Sequence, residues 1–398
     1  MKAVILAAGE GQRMRPLTAS MPKSMIPIAG KPLMEYVISA CVECGIRDFV
    51  AVVGYGRQKI QSHFEDGSKW GVRIQYVFEE KQLGTGHALK QAKKLLENEK
   101  EFLVLHGDGL FYPEAIRSLT SAKAPAMLVK STDKDLSKYG VVSMEGGRVT
   151  KIAEKPEMPE STMVNAGAYH LTQGIFKEMD KHPGKDNNRL TDLLRFEVED
   201  GAEVRGILVS DDWKDAIYPW DLLALNRAAA AGIKPLNEGI AEQNVILQGN
   251  VKVGKGTRIH PNTCIVGPVT IGEGCEIGPN AVIYSTTSIG NNVTIAPFCE
   301  VVESIIMDDV RISTGSIVHS SIISSGVAAG IRLSANRGEA DVQVGGEWHH
   351  IKSLGAIIGE DTKIGDNVTI KPGAIVGAKC KIARDKFIRA VNDNTVVM

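Results

Sequence analysis

Aliphatic residues recur at every sixth position through much of the second half of this 398-residue chain. Such a period is the signature of a hexapeptide β-helix, in which every sixth side chain points into a narrow prism and three short strands form one coil. The feature therefore predicts a left-handed parallel β-helix, with residues 336–352 leaving the prism as a loop. The periodic positions are Val253, Ile259, Ile265, Ile271, Ile277, Ile283, Ile289, Ile295, Val301 and Met307 and, after a slip in phase, Ile358, Ile364, Ile370, Val376 and Ile382.

Composition changes near residue 240. Residues 1–240 contain 17 of the 21 aromatic residues, whereas residues 241–398 contain 4 aromatic residues but 19 glycines. A breaker cluster, Gly232 to Pro235, lies just before this change. We therefore expect a first domain over 1–232, a linker over 233–242 and the β-helix domain over 243–398.

The first half alternates short apolar runs with helical patterns. This alternation predicts an α/β domain with a Rossmann-like, mostly parallel sheet, whose ligands bind at the carboxyl ends of the strands. The predicted strands are Val4–Ala8, Phe49–Val53, Ile74–Phe78 and Phe102–Leu105, and the predicted helices cover about 33–44, 57–64, 85–97, 189–199 and 219–231.

Charge and apolar content exclude several classes of protein. The chain has 46 Lys and Arg against 47 Asp and Glu. This balance argues against broad binding to nucleic acid or to an anionic membrane. No apolar run approaches the ~18 residues of a membrane span, and the start of the chain does not resemble an export signal. We expect a cytoplasmic protein of the size of an enzyme, with reduced thiols. Cys41 and Cys44 lie in a helical pattern and are expected to pack as ordinary side chains.

A glycine-containing motif follows the first predicted strand. It runs Leu6-Ala7-Ala8-Gly9 and continues through Gly11 and Arg13. Glycines at this place let backbone N–H groups approach a phosphate. Met14 replaces the third glycine of a dinucleotide fingerprint, which argues against a nicotinamide cofactor. Instead Arg13, Arg15 and Lys23 supply cations that match phosphate oxygens.

Taken together, the motifs of the first half resemble those of the sugar-1-phosphate nucleotidyltransferases. The second half resembles the hexapeptide domain of the archaeal and bacterial members that make UDP-N-acetylglucosamine, some of which are also acetyltransferases. The motifs that follow the opening one, in the order of the family, are Gln82–Ala88, Leu105–Asp108, Tyr139–Val142, Glu154–Pro156, Asn165–Gly167 and Trp213–Asp215.

The resemblance implies a reaction between a nucleoside triphosphate and a sugar 1-phosphate with release of pyrophosphate. Asp108 follows a predicted strand and suits Mg²⁺, and the resemblance makes Asp215 the second ligand. It also implies that Arg13 holds the leaving phosphates. The implied catalytic residues are Arg13, Lys23, Asp108 and Lys155, and the implied substrate-binding residues are Leu6, Ala7, Ala8, Gly9, Gly11, Glu79, Gln82, Gly84, Thr85, Gly140, Glu154, Asn165 and Gly167.

The base and the sugar are less closely defined. The opening motif and Gly84–Gly86 are most similar to uracil-binding members, which favours UTP or dTTP with N-acetylglucosamine 1-phosphate or glucose 1-phosphate. However, Glu79 stands where those members usually carry Gln. A carboxylate could accept one hydrogen bond from uracil or two from guanine, so a GTP-using mannose-1-phosphate guanylyltransferase is an alternative. His87 is expected to be structural. A silent nucleotide-sugar-sensing subunit is a further alternative, disfavoured because Arg13, Lys23 and both aspartates are retained.

The second half resembles an acetyltransferase only in part. His319 and Asn336 fall near the places where bifunctional relatives acetylate an amino sugar with acetyl-CoA, and Lys352 follows. Ile322 stands where a tyrosine is expected, so the alternative is a prism that only mediates association. In either case we expect a homo-oligomer, a trimer or larger, formed through the β-helix. His349 and His350 have no identified third ligand and do not define a metal site.

Overall fold

The computed structural model describes residues 1–132, 135–182, 184, 188–209 and 214–398, which group into two compact units. The first unit comprises Met1–Glu10, Pro22–Met25 and Leu33–Asp215, and the second comprises Gly11–Met21, Ile26–Pro32 and Ala216–Met398. The last stretch of the first unit therefore ends at Asp215, whereas the predicted first domain ends at residue 232. The domain boundary drawn from composition stays a prediction.

A nine-stranded sheet forms the centre of the described part of the first unit, in the order β3-β2-β1-β4-β9-β6-β10-β8-β7. A two-stranded sheet pairs β5 with β11. The strands are β1 Lys2–Ala7, β2 Asp48–Val53, β3 Arg73–Phe78, β4 Glu101–His106, β5 Gly109–Leu110, β6 Ala126–Ser131, β7 Gly140–Glu145, β8 Arg148–Glu154, β9 Met163–Thr172, β10 Arg205–Leu208 and β11 Lys214–Asp215.

Strands β1 to β4 are parallel to one another, as their nearly continuous apolar sequences predict for strands buried on both faces. Strand β9 is antiparallel to β4 and β6, and β7 and β8 form an antiparallel pair, so the other half of the sheet is mixed. The predicted α/β class is confirmed, and the parallel character belongs to the first half of the sheet.

Helices cover the sheet, and separate apolar clusters lie on its two faces. The pattern at 85–97 predicted one helix, but the structure breaks it at Ala92 into two. The helices are α1 Leu33–Glu43, α2 Arg57–Phe64, α3 Thr85–Gln91, α4 Lys93–Leu96, α5 Pro113–Ser121, α6 Gly174–Lys181 and α7 Leu190–Glu199 in the first unit, and α8 Asp221–Ala230 in the second.

Three parallel sheets form the left-handed prism of the second unit. One contains Leu236–Asn237, Val251–Val253, Val269–Ile271, Thr287–Ile289, Ile305–Ile306, Ile322–Ile323, Ile357–Ile358 and Ile375–Val376. The next contains Ile240–Ala241, Arg258–Ile259, Glu276–Ile277, Thr294–Ile295, Arg311–Ile312, Ala328–Ala329, Lys363–Ile364, Lys381–Ile382 and Val396–Val397. The last contains Ile246–Gln248, Cys264–Val266, Val282–Ile283, Glu300–Val302, Ile317–His319, Ser334–Ala335, Thr369–Ile370 and Phe387–Ile388.

The six-residue period is confirmed as the pattern of the prism core, with one correction. Ile289 pairs with Ile306, not with Met307, so the phase slips one strand earlier than the aliphatic positions indicated. Ile306 belongs to the core cluster of the prism, and the sequence misled because Met307 is also aliphatic. Between 307 and 357 the core positions are Ile312, Val318, Ile323, Ala329 and Ala335, so the phase slips by one residue a second time, between Val318 and Ile323.

The first coil begins inside the predicted linker 233–242. Asn237 pairs with Val253 and Ala241 pairs with Ile259. Their small or polar side chains stand where later coils carry Val or Ile, which hides this coil from a search for aliphatic residues. At the other predicted irregularity, residues 338–354 form an antiparallel hairpin, β12 Gly338–Val344 and β13 Glu347–Leu354.

Helix α8 is attached to the prism by a buried side chain. The Asn226 amide donates to the Thr286 carbonyl at 2.6 Å, and its oxygen accepts from the Ser288 hydroxyl at 2.8 Å. This explains why a helix expected in the first domain groups with the second unit. Among the described residues, none of the helices combines the length and apolar character that crossing a bilayer requires.

Candidate active site

Several predicted substrate-binding residues lie at the carboxyl end of β1, as expected for a parallel sheet. After β1 the chain continues through Ala8 and Gly9. A Cβ on Gly54 would lie 2.8 Å from the Ala8 carbonyl oxygen and 2.9 Å from that of Glu79. Only glycine therefore lets these segments approach, which brings the opening motif next to Glu79. The Gly107 N–H donates to the Leu6 carbonyl at 2.9 Å and holds the turn before Asp108 against the same strand end.

Asp108 and Asp215 lie on neighbouring backbone segments. Asp215 pairs with Gly109 in the short β5–β11 sheet, so the residue after Asp108 faces Asp215 directly. Asp108 accepts a hydrogen bond and ion pair from the Lys23 ammonium. Burial alone would raise the pKa of Asp108, but Lys23 and His106 outweigh it and lower the pKa. The Tyr139 hydroxyl donates to Asp215 at 3.2 Å. Both carboxylates are thus held in place by polar neighbours.

His106 is a candidate site residue that the sequence analysis did not single out. It ends β4, two residues before Asp108, and its Nε2 atom is buried with no hydrogen-bond partner among the residues described. Burial lowers its pKa, and the neighbouring Asp108 opposes that shift. A buried polar atom without a partner is costly unless a ligand satisfies it. The position of His106 inside the Leu105–Asp108 motif was the sequence feature that could have identified it.

The predicted base-binding motif is attached to the start of α7. The Asn188 carbonyl accepts from the Gly86 N–H at 2.8 Å, and the Thr85 hydroxyl accepts from the Leu190 N–H at 2.9 Å. Gly84 has a φ of 138°, and a Cβ there would lie 2.3 Å from the Asn188 oxygen. Glycine is therefore required at this contact. Gln82 reaches the opening motif, since its side-chain oxygen accepts from the Glu10 N–H at 3.2 Å.

Glu79 forms a side-chain pair within this motif. Its Oε1 lies 2.6 Å from Nδ1 of His87, and the Glu79 side chain is only 3% exposed. Burial raises the pKa of Glu79, and the hydrogen bonds from His87 and the Leu83 N–H limit the rise. His87, expected to be structural, therefore directly contacts the residue expected to read the base.

The predicted sugar-binding residues surround the paired strands β7 and β8. Gly140 pairs with Glu154, and a Cβ on Gly140 would lie 3.0 Å from a Glu154 carboxylate oxygen. That oxygen accepts from the Thr191 hydroxyl at 2.9 Å. The Asn165 amide donates to the Tyr169 hydroxyl at 2.5 Å, and its oxygen accepts from the Gly167 N–H at 3.0 Å. These bonds fix the polar groups that a hydroxylated ligand would meet.

Three other predicted residues are placed differently. Gly11, with a φ of 70°, and Arg13, which is exposed, belong to the segment that groups with the second unit. Lys155 follows β8 with a φ of 49°, and its N–H donates to the Tyr139 carbonyl. Trp213, from the last motif, lies outside the described residues. No set of three His, Cys, Asp or Glu suited to a metal ion occurs in the described ranges.

The prism brings His319 and Asn336 to one edge in consecutive coils. Val318 pairs with Ala335, so the residues that follow each of them occupy equivalent positions. His319 Nε2 lies 3.2 Å from a Glu300 carboxylate oxygen, and the Asn336 amide donates to the Ser334 hydroxyl at 2.9 Å. Ile322, at the expected tyrosine position, is buried.

The two histidines of the hairpin have separate surroundings. The His349 ring packs 4.3 Å from the Tyr218 ring and 5.4 Å from the Trp220 ring, measured between ring centres. His350 Nδ1 lies 3.0 Å from the Asp341 carboxylate. Their different neighbours give no support to a shared metal.

The fold and the site together define a two-part nucleotidyltransferase, and comparison with known proteins agrees. The family described as Nucleotidyl transferase matches residues 2–231, the GMPPB C-terminal domain matches 265–353, and the bacterial transferase hexapeptide matches 355–389. This chain belongs to the nucleotidyl transferase family.

Individual relatives extend over nearly the whole chain. The Bifunctional protein GlmU of Methanococcus maripaludis is 36% identical and covers 97% of this chain and 95% of its own length. The bifunctional sugar-1-phosphate nucleotidylyltransferase/acetyltransferase of Sulfurisphaera tokodaii is also 36% identical, with 96% of each chain covered. The solved structure of a UDP-glucose pyrophosphorylase with UDP-glucose has a TM-score of 0.52 at 25% identity, and covers 58% of this chain and 98% of its own.

Proposed function

We propose that the first half transfers a nucleotidyl group from UTP or dTTP to a hexose 1-phosphate, giving a nucleoside diphosphate sugar. An oxygen of the sugar phosphate attacks the α-phosphorus, and the bond from that phosphorus to the pyrophosphate oxygen breaks. The observation that carries this proposal is the pairing of Asp215 with Gly109, beside Asp108 and Lys23, at the end of the parallel strands. Such a site serves a reaction that needs alignment and charge neutralisation more than a covalent intermediate.

The carboxylates fit a magnesium ion, which the family implies. Asp108 and Asp215 are hard oxygen donors on adjacent segments, and two carboxylates are the protein share that Mg²⁺ usually takes in sites that bind phosphates. When bound, the ion would neutralise phosphate charge and polarise the α-phosphoryl group. The carboxylates of Asp108 and Asp215 are therefore of the chemical type that Mg²⁺ prefers.

Side chains of the described site supply the remaining interactions. The Lys23 ammonium places a positive charge beside Asp108, where it offsets the charge of incoming phosphates. Glu154, Asn165 and the Gly140 backbone offer acceptors and donors to sugar hydroxyls. Lys155 would pair with the sugar phosphate and Arg13 with the leaving phosphates, as the family resemblance implies. Thr191 holds the Glu154 carboxylate in place for this role.

A substrate matrix tests the proposal. Pyrophosphate release is measured with UTP, dTTP, GTP, CTP and ATP against the 1-phosphates of glucose, N-acetylglucosamine, glucosamine, mannose and galactose. We expect release with UTP or dTTP and either N-acetylglucosamine 1-phosphate or glucose 1-phosphate. Binding of nucleotide sugars without pyrophosphate release from any pair would contradict the proposal and favour a sensing subunit.

We propose acetyl transfer from acetyl-CoA to glucosamine 1-phosphate as a second activity, supported by the shared edge of His319 and Asn336. His319 Nε2 lies 3.2 Å from a Glu300 carboxylate oxygen, and an imidazole at this edge can take the amine proton as the new amide forms. Release of free thiol measures the reaction. We expect His319→Ala to lower it about 100-fold, whereas Lys381→Ala, at an exposed position on another sheet of the prism, should change it little. Thiol release that is undetectable in the wild type would contradict this second proposal.

A further inference from the structure

We propose that Glu360 of the prism is a positioning residue for nucleotidyl transfer, because it holds the loop that carries Arg13. This loop comprises residues 11–21 and is called the arginine loop here. Both of its ends continue into the first unit, yet the loop itself groups with the prism in the second unit. The inference rests on the proposed function, in which Arg13 pairs with the leaving phosphates.

The arginine loop is closed by its own hydrogen bonds. The Thr18 hydroxyl donates to the Gly11 carbonyl at 2.9 Å, and Thr18 is fully buried. The Met14 N–H donates to the Gly11 carbonyl at 2.9 Å, and the Leu17 N–H donates to the Met14 carbonyl at 3.0 Å. The side chains of Met14 and Leu17 are buried, whereas Arg13 is exposed. A contact at one end of this compact loop therefore fixes the position from which Arg13 extends.

A hydrogen bond attaches the end of the arginine loop to the prism. The Ser20 hydroxyl donates to one carboxylate oxygen of Glu360. The other oxygen lies 3.9 Å from the ammonium of Lys379, whose side chain is 58% exposed. A hydrogen bond to an ionised acceptor is stronger than a neutral one, whereas a long ion pair with an exposed lysine contributes little. The bond to Ser20 is therefore the stronger contact of this carboxylate.

The prism also holds the chain beyond Lys23. Residues 26–32 group with the second unit. The Ala29 N–H donates to the side-chain oxygen of Asn226 at 2.7 Å, and the same oxygen accepts from the Ser288 hydroxyl of the prism at 2.8 Å. The segments on both sides of Lys23 along the chain are thus attached to one support, and the arginine loop is the segment held by the carboxylate.

The repeat itself supplies a matched control for Glu360. Ile271 and Ile358 lie in the same sheet of the prism, and each is followed by Gly-Glu. Glu273 therefore occupies the corner that corresponds to Glu360 in another coil, and it is exposed. Loss of its carboxylate changes the same kind of corner without removing the acceptor of Ser20.

The reverse reaction of the full-length chain tests the inference. A pyrophosphate oxygen attacks the α-phosphorus of the nucleotide sugar, and the bond to the sugar phosphate oxygen breaks. We expect Glu360→Ala to raise the KM for pyrophosphate about tenfold with the KM for the nucleotide sugar unchanged, because only the ligand of Arg13 loses its alignment. Glu360→Gln retains an oxygen that accepts from Ser20 and should stay close to the wild type, as should Glu273→Ala.

A double variant shows whether Glu360 acts through Arg13. Arg13→Ala alone should raise the KM for pyrophosphate at least as much as Glu360→Ala does. Adding Glu360→Ala to Arg13→Ala should then change this KM by no more than about twofold, because two residues that act through one contact are not additive. Effects that multiply in the double variant would overturn the positioning role.

Hydrogen exchange gives a readout that does not depend on activity. Glu360→Ala should speed exchange in the peptide that spans residues 11–21 and leave exchange in β4 unchanged, because the arginine loop loses its anchor. Unchanged exchange in that peptide, or an unchanged KM for pyrophosphate in a folded Glu360→Ala variant, would overturn the positioning role alone. A wild type without turnover in either direction would instead contradict nucleotidyl transfer, and the exchange measurement would still decide whether Glu360 holds the loop.

Discussion

At the scale of single residues, the site depends on close approaches that exclude side chains. Gly167 has a φ of 75°, and a Cβ there would lie 2.6 Å from Nδ1 of His106. The same glycine donates its N–H to Asn165. One residue therefore positions both a candidate sugar-binding side chain and His106, whose Nε2 atom has no hydrogen-bond partner in the described ranges. The requirement for glycine is therefore both conformational and steric.

We expect Gly167→Ala to lower the free energy of unfolding by about 3 kcal/mol and to reduce nucleotidyl transfer. A left-handed alanine costs about 1 kcal/mol, and the clash with His106 adds roughly 1–3 kcal/mol. Gly146→Ala is the matched control, because Gly146 has a φ of 56° with open space around it. Urea unfolding of both variants checks this, and an equal loss in the two would mean that the contact with His106 is not tight.

At the scale of secondary structure elements, helices α6 and α7 bury two carboxyl groups near each other. Glu178 and Glu197 are each 8% exposed, and each has an oxygen with no hydrogen-bond partner in the described part of the chain. Burial, followed by the repulsion from Glu178, raises the pKa of Glu197 to about 7. The raised pKa means that the folded state binds a proton which the unfolded state releases near pH 4.5.

This pair predicts that stability falls as the pH rises. The contribution of protonated Glu197 is complete below pH 4.5 and is lost as the pH passes through about 7. We expect a loss of about 2 kcal/mol between pH 5 and pH 8 from this group. Glu197→Gln should remove that part of the pH dependence, whereas Glu199→Gln, on the same helix but exposed, should retain it. Urea unfolding across this range checks the expectation, and identical pH profiles in all three proteins would contradict it.

Most elements could be predicted from sequence because their signals are local. The apolar runs of β1 to β4 and the hexapeptide period each reflect one buried face. Long-range pairing left no such signal. Strand β9 and the pairing of Asp215 with Gly109 join segments that are distant in sequence. The contact of His87 with Glu79 joins residues on either side of a turn. The phase slip at Ile306 was misread because the next residue, Met307, is equally apolar.

At the scale of the whole molecule, one exposed aromatic residue of the prism, Phe298, is a candidate contact between copies of the chain. Phe298 is 66% exposed and has a φ of 60°, a conformation that is unfavourable for a bulky residue. The equivalent corners of the two preceding coils carry Asn262 and Asn280, which tolerate it. We propose that Phe298 contributes to a homo-oligomer, a trimer or larger, formed through the prism.

We expect Phe298→Asn to stabilise the single chain by about 1 kcal/mol, because asparagine suits the corner. The same change should weaken the assembly, because an exposed apolar surface is lost. Light scattering after size-exclusion chromatography gives the molar mass at several concentrations. A wild-type mass of 42.9 kDa at all of them would contradict association, and an unchanged assembly in the variant would exclude Phe298 from the interface.

The central claim is that Asp108 and Asp215 on paired segments support a magnesium-dependent nucleotidyl transfer. Its most direct test is pyrophosphate release from UTP and N-acetylglucosamine 1-phosphate or glucose 1-phosphate, measured against Mg²⁺ concentration for the wild type, Asp108→Asn and the exposed control Asp180→Asn. We expect Asp108→Asn to lose at least about 100-fold in rate at limiting Mg²⁺, while Asp180→Asn follows the wild type. An Asp108→Asn enzyme with the wild-type rate and Mg²⁺ dependence would contradict the claim.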